Sequence, residues 1–385
     1  MPRQDVLTSA KAANKNEFYT QYEDIEKEVN AYVEYNPDVF RDKIVLLPCD
    51  DPEWSNFTKY FAANFERFGL KKLISTSYAK GWDNQHQISM FELMSEDYDK
   101  DLHDEHGKIF ILDRKKNFTG RISHKNLRFK YLQGDGDFRS AEVTKLRDEA
   151  DFIITNPPFN TLFREFFSWV IESGKQFLFI ASINSITYKE LFPYIKDNIV
   201  WTGTGMGRWI SGFIVPGDYE LYGTEARIEN DGRRIVATNN CLWLTNMDHG
   251  KRHEPLQLMT MAENLKYNKT LLKRLRTKFE DDKKYPEYDN YQGIEVPFTE
   301  AIPSDYPGIM GVPVSFMDKF NPEQFEIVGI TDRQDSYGFR THKYTVEEFS
   351  NANDLNARAC VKVNGIPKAI YARILIRHKK GGADK

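Results

Sequence analysis

The chain has 385 residues with 40% hydrophobic and 29% charged side chains and a net charge of −4, the balance of a globular protein long enough for two or three domains. No run of about 18 apolar residues occurs, which excludes a helical membrane span, and the polar start MPRQDVLTSAKAANKNE has no apolar signal core, so a cytoplasmic protein is expected. Three widely spaced cysteines, Cys49, Cys241 and Cys360, exclude a disulfide framework and a zinc ribbon.

In chain order, a helix is expected around residues 23–33. KIVLLPC (43–49) then reads as a buried strand. SNFTKYFAANFERFG (55–69) reads as a helix capped by Ser55 and stopped at Gly69. Its Phe57, Tyr60, Phe61, Phe65 and Phe68 share one buried face. KKLISTSY (71–78) supplies a second strand, and a strand–helix–strand unit implies a parallel pair with a right-handed crossover. KIFIL (108–112) and RFKYLQ (128–133) are expected strands around a polar insertion. DFIIT (151–155), a helix over 162–172 stopped by Gly174, QFLFIAS (176–182), a helix over 189–198, RRIVA (233–237) and NCLWLTN (240–246) follow. This alternation predicts an α/β fold with a doubly wound sheet. TGTGMGRW (202–209) reads as a flexible loop near a site, with Arg208 placed to touch nucleic acid. HDEH (103–106) reads as an exposed polar loop rather than a metal site.

Past residue 250 the texture changes. A basic helix-like stretch, 262–280, carries Lys266, Lys269, Lys273, Arg274, Arg276 and Lys278. A linker or loop, KKYPEYDNYQG (283–293), leads into short strands and turns over 308–385. Residues 251–385 hold 22 Lys and Arg against 19 Asp and Glu, whereas residues 1–250 hold 31 against 38. The excess of cations after 250 suits either a solvated face or a surface for nucleic acid. A domain boundary is expected near 250–260, dividing residues 1–250 from 251–385.

The chemistry concentrates at DFIITNPPFN (151–160). A residue before proline is driven into an extended conformation, and Pro157 and Pro158 hold that extension stiffly while removing two N–H donors. A strand ending on Asn156-Pro157-Pro158-Phe159 can therefore present the Asn156 side-chain oxygen and a bare main-chain carbonyl to one point. Two fixed acceptors suit an aromatic primary amine, whose ring-delocalised lone pair is a poor nucleophile. Hydrogen bonds to both N–H groups favour a tetrahedral nitrogen and free the lone pair, and Phe159 supplies a stacking face worth about 1–3 kcal/mol per base. An already activated electrophile such as a sulfonium methyl group then needs no metal, only positioning and fixed dipoles. Pro48-Cys49 resembles the nucleophilic Pro-Cys of cytosine-C5 methyltransferases, but the surrounding motif is missing.

NPPF is similar to the catalytic motif of S-adenosylmethionine-dependent amino methyltransferases, in the form found on the adenine-N6 branch. GDGDFRS (134–140), KNEFYTQ (15–21) and LLPCDDPEWSNFTKYF (46–61) lie in the order expected of adenine methyltransferases. Together with KKLISTSY and GVPVSFMDKFNPEQFEIVGI (311–330), they resemble the EcoRI-type adenine-specific DNA methyltransferase family over most of the chain.

The resemblance implies a Rossmann-like methyltransferase sheet with a C-terminal target-recognition region. It implies S-adenosyl-L-methionine as cofactor and methyl transfer to N6 of a flipped adenine in double-stranded DNA, by a monomer or weak dimer. A cognate restriction endonuclease acting on the same site is the expected partner, unless the enzyme is an orphan or phage methylase. Asn156, Pro157, Pro158 and Phe159 become catalytic. Phe18, Tyr19 and Thr20 close over the cofactor, Pro48 and Asp50 belong to its first loop, Asp137 accepts from its adenine amine, and Phe138 packs on its ring. Two departures stand out. The loop after Asp51-Pro52 has no glycine, and Ser75-Thr76-Ser77 lacks the acid that usually binds the ribose. RNA or protein glutamine as substrate, and a non-catalytic DNA-binding relative, are the alternatives.

Overall fold

Continuous apolar runs become the buried parallel strands of a large mixed sheet. The computed structural model describes residues 19–79, 99–115, 129–158, 162–206, 210–215, 221, 226–236 and 240–379. The chain forms two compact units, one of Met1–Ile183 with Thr202–His249 and one of Asn184–Trp201 with Gly250–Lys385. The strands of the first unit are β1 (Tyr19–Thr20), β2 (Ile44–Leu47), β3 (Lys72–Thr76), β4 (Lys108–Asp113), β5 (Lys130–Tyr131), β6 (Phe152–Thr155), β7 (Gln176–Ser182), β8 (Trp201–Met206), β9 (Phe213–Val215), β10 (Arg227–Ile228), β11 (Arg234–Val236) and β12 (Cys241–Thr245). Among the described residues, eight of them pair in the order β5-β4-β3-β2-β6-β7-β12-β8 and the other four in the order β1-β9-β11-β10. β3, β2, β6 and β7 run parallel, while β4 lies antiparallel to β3 and β12 antiparallel to β7. Every residue of β2 and β6 is buried, which explains why IVLL and FIIT are unbroken apolar runs rather than alternating ones.

The aromatic helix spans Asn56–Ala63, with the Ser55 hydroxyl accepting from the Phe57 N–H at 3.1 Å. It ends earlier than its apolar spacing predicts. The Asn64 side chain donates to the Tyr60 carbonyl at 2.9 Å, and the chain then continues in turns to Gly69. Phe65 and Phe68 stay buried even so, and Phe40 packs edge-on against both Phe61 and Phe152.

The helix Tyr22–Tyr35 buries Ile25, Val29 and Tyr32, and also Glu28. Glu28 accepts from the Thr204 N–H at 2.8 Å, from the Thr204 hydroxyl at 2.5 Å and from the Tyr32 hydroxyl at 3.0 Å. A Cβ on Gly203 would lie 2.1 Å from the Glu28 carboxylate, so glycine is required for this approach. TGTGM is thus part of strand β8 and not the flexible loop expected; its glycines and threonines hide a strand that side-chain hydrogen bonds hold. Arg208 lies outside the described residues. HDEH falls at the end of a helix, Lys100–Glu105, with His103 buried and the His106 ring hydrogen-bonded to the Leu132 carbonyl at 2.9 Å, rather than in an exposed loop.

In the second unit the basic stretch breaks into two helices, Met261–Tyr267 and Lys269–Phe279. Local caps cause the break. Thr260 and Glu263 form a capping box at the first start, and the Asn268 side chain accepts from the Leu271 N–H at 3.0 Å at the second. β13 (Ile294–Glu295), β14 (Met310–Pro313), β15 (Phe325–Ile330) and β18 (Arg373–His378) form a sheet in the order β13-β14-β18-β15, beside a hairpin of β16 (Cys360–Val363) and β17 (Ile366–Ala369). KKYPEYDNYQG is a packed loop and not a linker. Tyr285, Tyr288 and Tyr291 are buried, and their hydroxyls reach the Ala301 carbonyl, the Glu295 carboxylate and the Asp332 carbonyl. No helix among the described residues is long and apolar enough to cross a membrane.

Candidate active site

The strand order contains a switch point. From β2 the chain crosses to β3 on one side, and from β6 it crosses to β7 on the other. In open α/β sheets the crevice at the carboxyl ends of two such strands is where ligands bind. The segments leaving β2 and β6 here are Pro48-Cys49-Asp50-Asp51 and Asn156-Pro157-Pro158.

Asp50 joins the two. It is 3% exposed, and its carboxylate accepts from the Ser55 hydroxyl at 2.6 Å, the Thr155 hydroxyl at 2.5 Å and the Asn156 main-chain N–H. Thr155 in turn accepts from the Cys49 N–H at 3.2 Å. Burial pushes the Asp50 carboxyl up to about 7, and the hydrogen bonds from Ser55, Thr155 and Asn156 only partly offset it. Asn156 is half-buried with its Oδ1 inside, Pro157 is buried and Pro158 half-buried. Phe159 lies outside the described residues.

The glycine-free loop after β2 is closed by side chains. Asp51 accepts from the Glu53 and Trp54 N–H groups at 2.8 and 3.1 Å, an Asx-type turn that delivers the chain to Ser55 at the helix start. Lys108, buried at the head of β4, donates to Glu53 at 2.7 Å and lies 3.9 Å from Asp51. The serine–threonine end of β3 ties to the same loop. The Ser75 hydroxyl donates to the Asp50 carbonyl at 2.5 Å, the Thr76 hydroxyl to the Pro48 carbonyl at 3.1 Å, and the Asp50 N–H to the Thr76 carbonyl at 2.9 Å. Hydroxyls thus occupy the place where a ribose-binding acid was missed in the sequence. The Cys49 thiol is pushed up by burial and by the adjacent Asp50, which keeps it from acting as a thiolate.

The Gly-Asp-Gly-Asp turn packs on the end of β3. A Cβ on Gly136, at φ +80°, would sit 2.2 Å from the Ser77 carbonyl, and Ala79 donates to the Asp135 carbonyl at 2.7 Å. Asp137 acts electrostatically on Cys49, but its carboxylate is held by Arg139 at 2.6 and 2.9 Å, which keeps its pKa below the ordinary range. Phe138 is buried edge-on against Phe166 and Trp169, at ring distances of 5.3 and 5.6 Å. Tyr19 and Thr20 pair with Ile214 and Phe213 of β9, and the Thr20 carbonyl accepts from the Asn56 amide at 2.8 Å. Phe18 lies outside the described residues. The structure therefore gathers Pro48, Asp50, Thr155 and Asn156 at one end of the sheet, tethers Thr20 to the helix that follows the loop, and places Phe138 in the packing of the helix Phe163–Ile171.

In the sequence Ser55 is legible as a helix cap and Ser75 as part of a strand end, but neither they nor Thr155 and Lys108 are legible as partners of the site. Their one local signal is a polar residue closing an otherwise apolar strand, as Thr155 closes FIIT.

An Asn-Pro-Pro strand end at the switch point of a parallel core is the arrangement the resemblance to amino methyltransferases implies, and the family comparison gives the class as an adenine-specific methyltransferase. The chain belongs to the family described as adenine-specific methyltransferase EcoRI, whose model matches residues 6–379. It is 43% identical over 375 residues to the Type II methyltransferase M.EcoRI of Escherichia coli, covering 97% of both chains. It is 32% identical over 321 residues to M.MpnI of Mycoplasma pneumoniae, covering 83% of each, and 32% identical to M.MgeORF184P of Mycoplasma genitalium, covering 83% of this chain and 84% of that one. No solved structure matches the chain.

Proposed function

We propose that this enzyme transfers a methyl group from S-adenosyl-L-methionine to the exocyclic N6 amine of an adenine flipped out of duplex DNA at a specific site, as the modification enzyme of a restriction–modification system. The observation that carries this reading is the Asn156-Pro157-Pro158 turn at the carboxyl end of β6, anchored through Asp50 to the loop that leaves β2. Asn156 Oδ1 and a main-chain carbonyl of the turn accept the two N6 hydrogens. This localises the nitrogen lone pair, and Phe159 stacks on the base. The target amine lies inside the stack, so the base is extruded at a cost of a few kcal/mol.

The chemistry of the neighbouring groups fits the cofactor. Thr20 Oγ1 is buried and has no hydrogen-bond partner among the described residues. Pro48 and Asp137, with Tyr19 and Phe138, supply polar and apolar groups of the kind such a ligand needs. Bound there, S-adenosylmethionine supplies an activated sulfonium methyl group. The Asx turn of Asp51 and the Ser55 cap do the structural work of the missing glycines, which removes the motive for a non-catalytic reading.

The strand order supports reading the large sheet as Rossmann-like; residues 1–250 are taken as catalytic and 251–385 as the target-recognition region. In the latter, the helix Lys269–Phe279 buries Leu271, Leu275 and Phe279 and exposes Lys269 and Lys273 side by side. Cations along one face suit phosphates, which set register, while loops read bases. Offering duplex DNA, RNA and a glutamine-containing protein side by side with labelled cofactor tests the reading. Label in duplex DNA alone supports it, and label in RNA or protein without DNA overturns it.

A further inference from the structure

The assigned chemistry needs Asn156 held to a fraction of an ångström, yet the residues that follow it are poorly equipped to hold themselves. Pro157 and Pro158 have no N–H, so across Asn156-Pro157-Pro158 the Asn156 N–H is the one main-chain donor available to anchor the turn. Asp50 takes it. The same carboxylate accepts the Thr155 hydroxyl one residue earlier and the Ser55 hydroxyl at 2.6 Å, so all three contacts converge on one buried group. The group is itself fixed: the Asp50 N–H donates to Thr76 and its carbonyl accepts from Ser75, whose hydroxyl lies 2.7 Å from that of Thr58. Ser75, Thr76, Thr58 and Thr155 are all fully buried.

We propose that Asp50 is a positioning residue for Asn156: its carboxylate fixes the main chain of the Asn-Pro-Pro turn against the loop from β2, and its acceptor capacity is spent there rather than on the cofactor. This rests on the proposed amine-activating role of Asn156. It refines the assignment of Asp50 to the cofactor loop, because a carboxylate already receiving three donors has little left for a ligand. A displacement of about 1 Å at a reacting group costs about 100-fold in rate, so the effect belongs in kcat.

The test compares wild type with Asp50→Ala and Asp50→Asn, reading kcat, KM for DNA and the dissociation constant of S-adenosylmethionine by calorimetry. Asp50→Ala is expected to lose about 100-fold in kcat with cofactor affinity changed less than about 3-fold. Asp50→Asn keeps one carbonyl acceptor and should recover about 10-fold of that loss. Thr155→Val, which removes one donor without changing volume much, should lower kcat, and Thr155→Ser should restore it. This pair carries the test if Asp50→Ala does not fold. Unchanged kcat with weakened cofactor binding makes Asp50 a cofactor ligand and overturns the proposal. Equal losses in the Ala and Asn variants, with native melting, also overturn it, since charge and not an anchoring acceptor is then what matters. Wild type inactive on duplex DNA contradicts the proposed function instead, and is read before any variant.

Discussion

Asp50 in the first unit and Glu295 in the second are both buried acids, 3% and 1% exposed, and their partners differ in kind. Glu295 meets a charge. Arg373 forks onto it at 2.7 and 3.0 Å, and the Tyr288 hydroxyl adds a third bond at 2.6 Å, all within the sheet β13-β14-β18-β15 and its flanking loop. Among the described residues the donors to Asp50 are neutral, at the carboxyl ends of two parallel strands. An ion pair cancels charge and serves the fold. A carboxyl held by hydroxyls and an amide N–H stays titratable, and sits where the sheet has run out of its own hydrogen bonds. The same kind of buried residue therefore marks structure in one unit and a site in the other.

The comparison can be broken at several points. The largest effect is expected at Asn156. Asn156→Ala should lower kcat by about 1000-fold or more while calorimetry finds cofactor affinity nearly intact, because the lost acceptor acts on the target amine. Undiminished turnover would remove Asn156 from the mechanism. Next is Glu295→Ala, which strands the buried Arg373 guanidinium. Urea unfolding should show a loss of about 3–5 kcal/mol, and a loss under 1 kcal/mol would mean the ion pair is not structural.

Asp50 should make stability respond to pH. Its folded pKa, about 7, lies above that of an ordinary carboxyl, so the folded state binds the proton more tightly than the unfolded chain. That contribution to stability is full below about pH 4 and is lost as pH rises through about 7. Wild type should thus gain stability relative to Asp50→Asn on going from about pH 8 to about pH 5, measured by denaturant midpoints. A difference that is flat with pH would place the Asp50 carboxyl in its ordinary range. The smallest effects belong to the exposed cations. Lys269→Gln and Lys273→Gln should each flatten the slope of log K against log salt by about 0.9, alike for every DNA sequence. A loss confined to one sequence would make them base readers.

Much of this was legible in the residues, for identifiable reasons. Strands buried on both faces, such as IVLL and FIIT, announce themselves because nothing polar can interrupt them. NPPF was legible because two prolines after a strand admit few conformations. TGTGM was not, because what holds it as a strand is pairing with β12 together with the Glu28 carboxylate, 176 positions away at Thr204. The anchoring role of Asp50 was hidden likewise, since its partner Thr155 lies 105 positions along the chain. The break at Asn268 was local but turned on a side-chain cap inside a continuous helical pattern. Periodicity reads faces; it does not read tethers between distant segments.

The central claim is that the crevice between β2 and β6 methylates adenine in DNA. Its most direct test is to incubate the purified chain with labelled S-adenosylmethionine and mixed-sequence duplex DNA, and to map N6-methyladenine by sequencing. The account predicts methyladenine confined to one short motif with wild type and none with Asn156→Ala. Duplex DNA left unlabelled by a chain that binds the cofactor, or equal methylation by the Asn156→Ala variant, would contradict it.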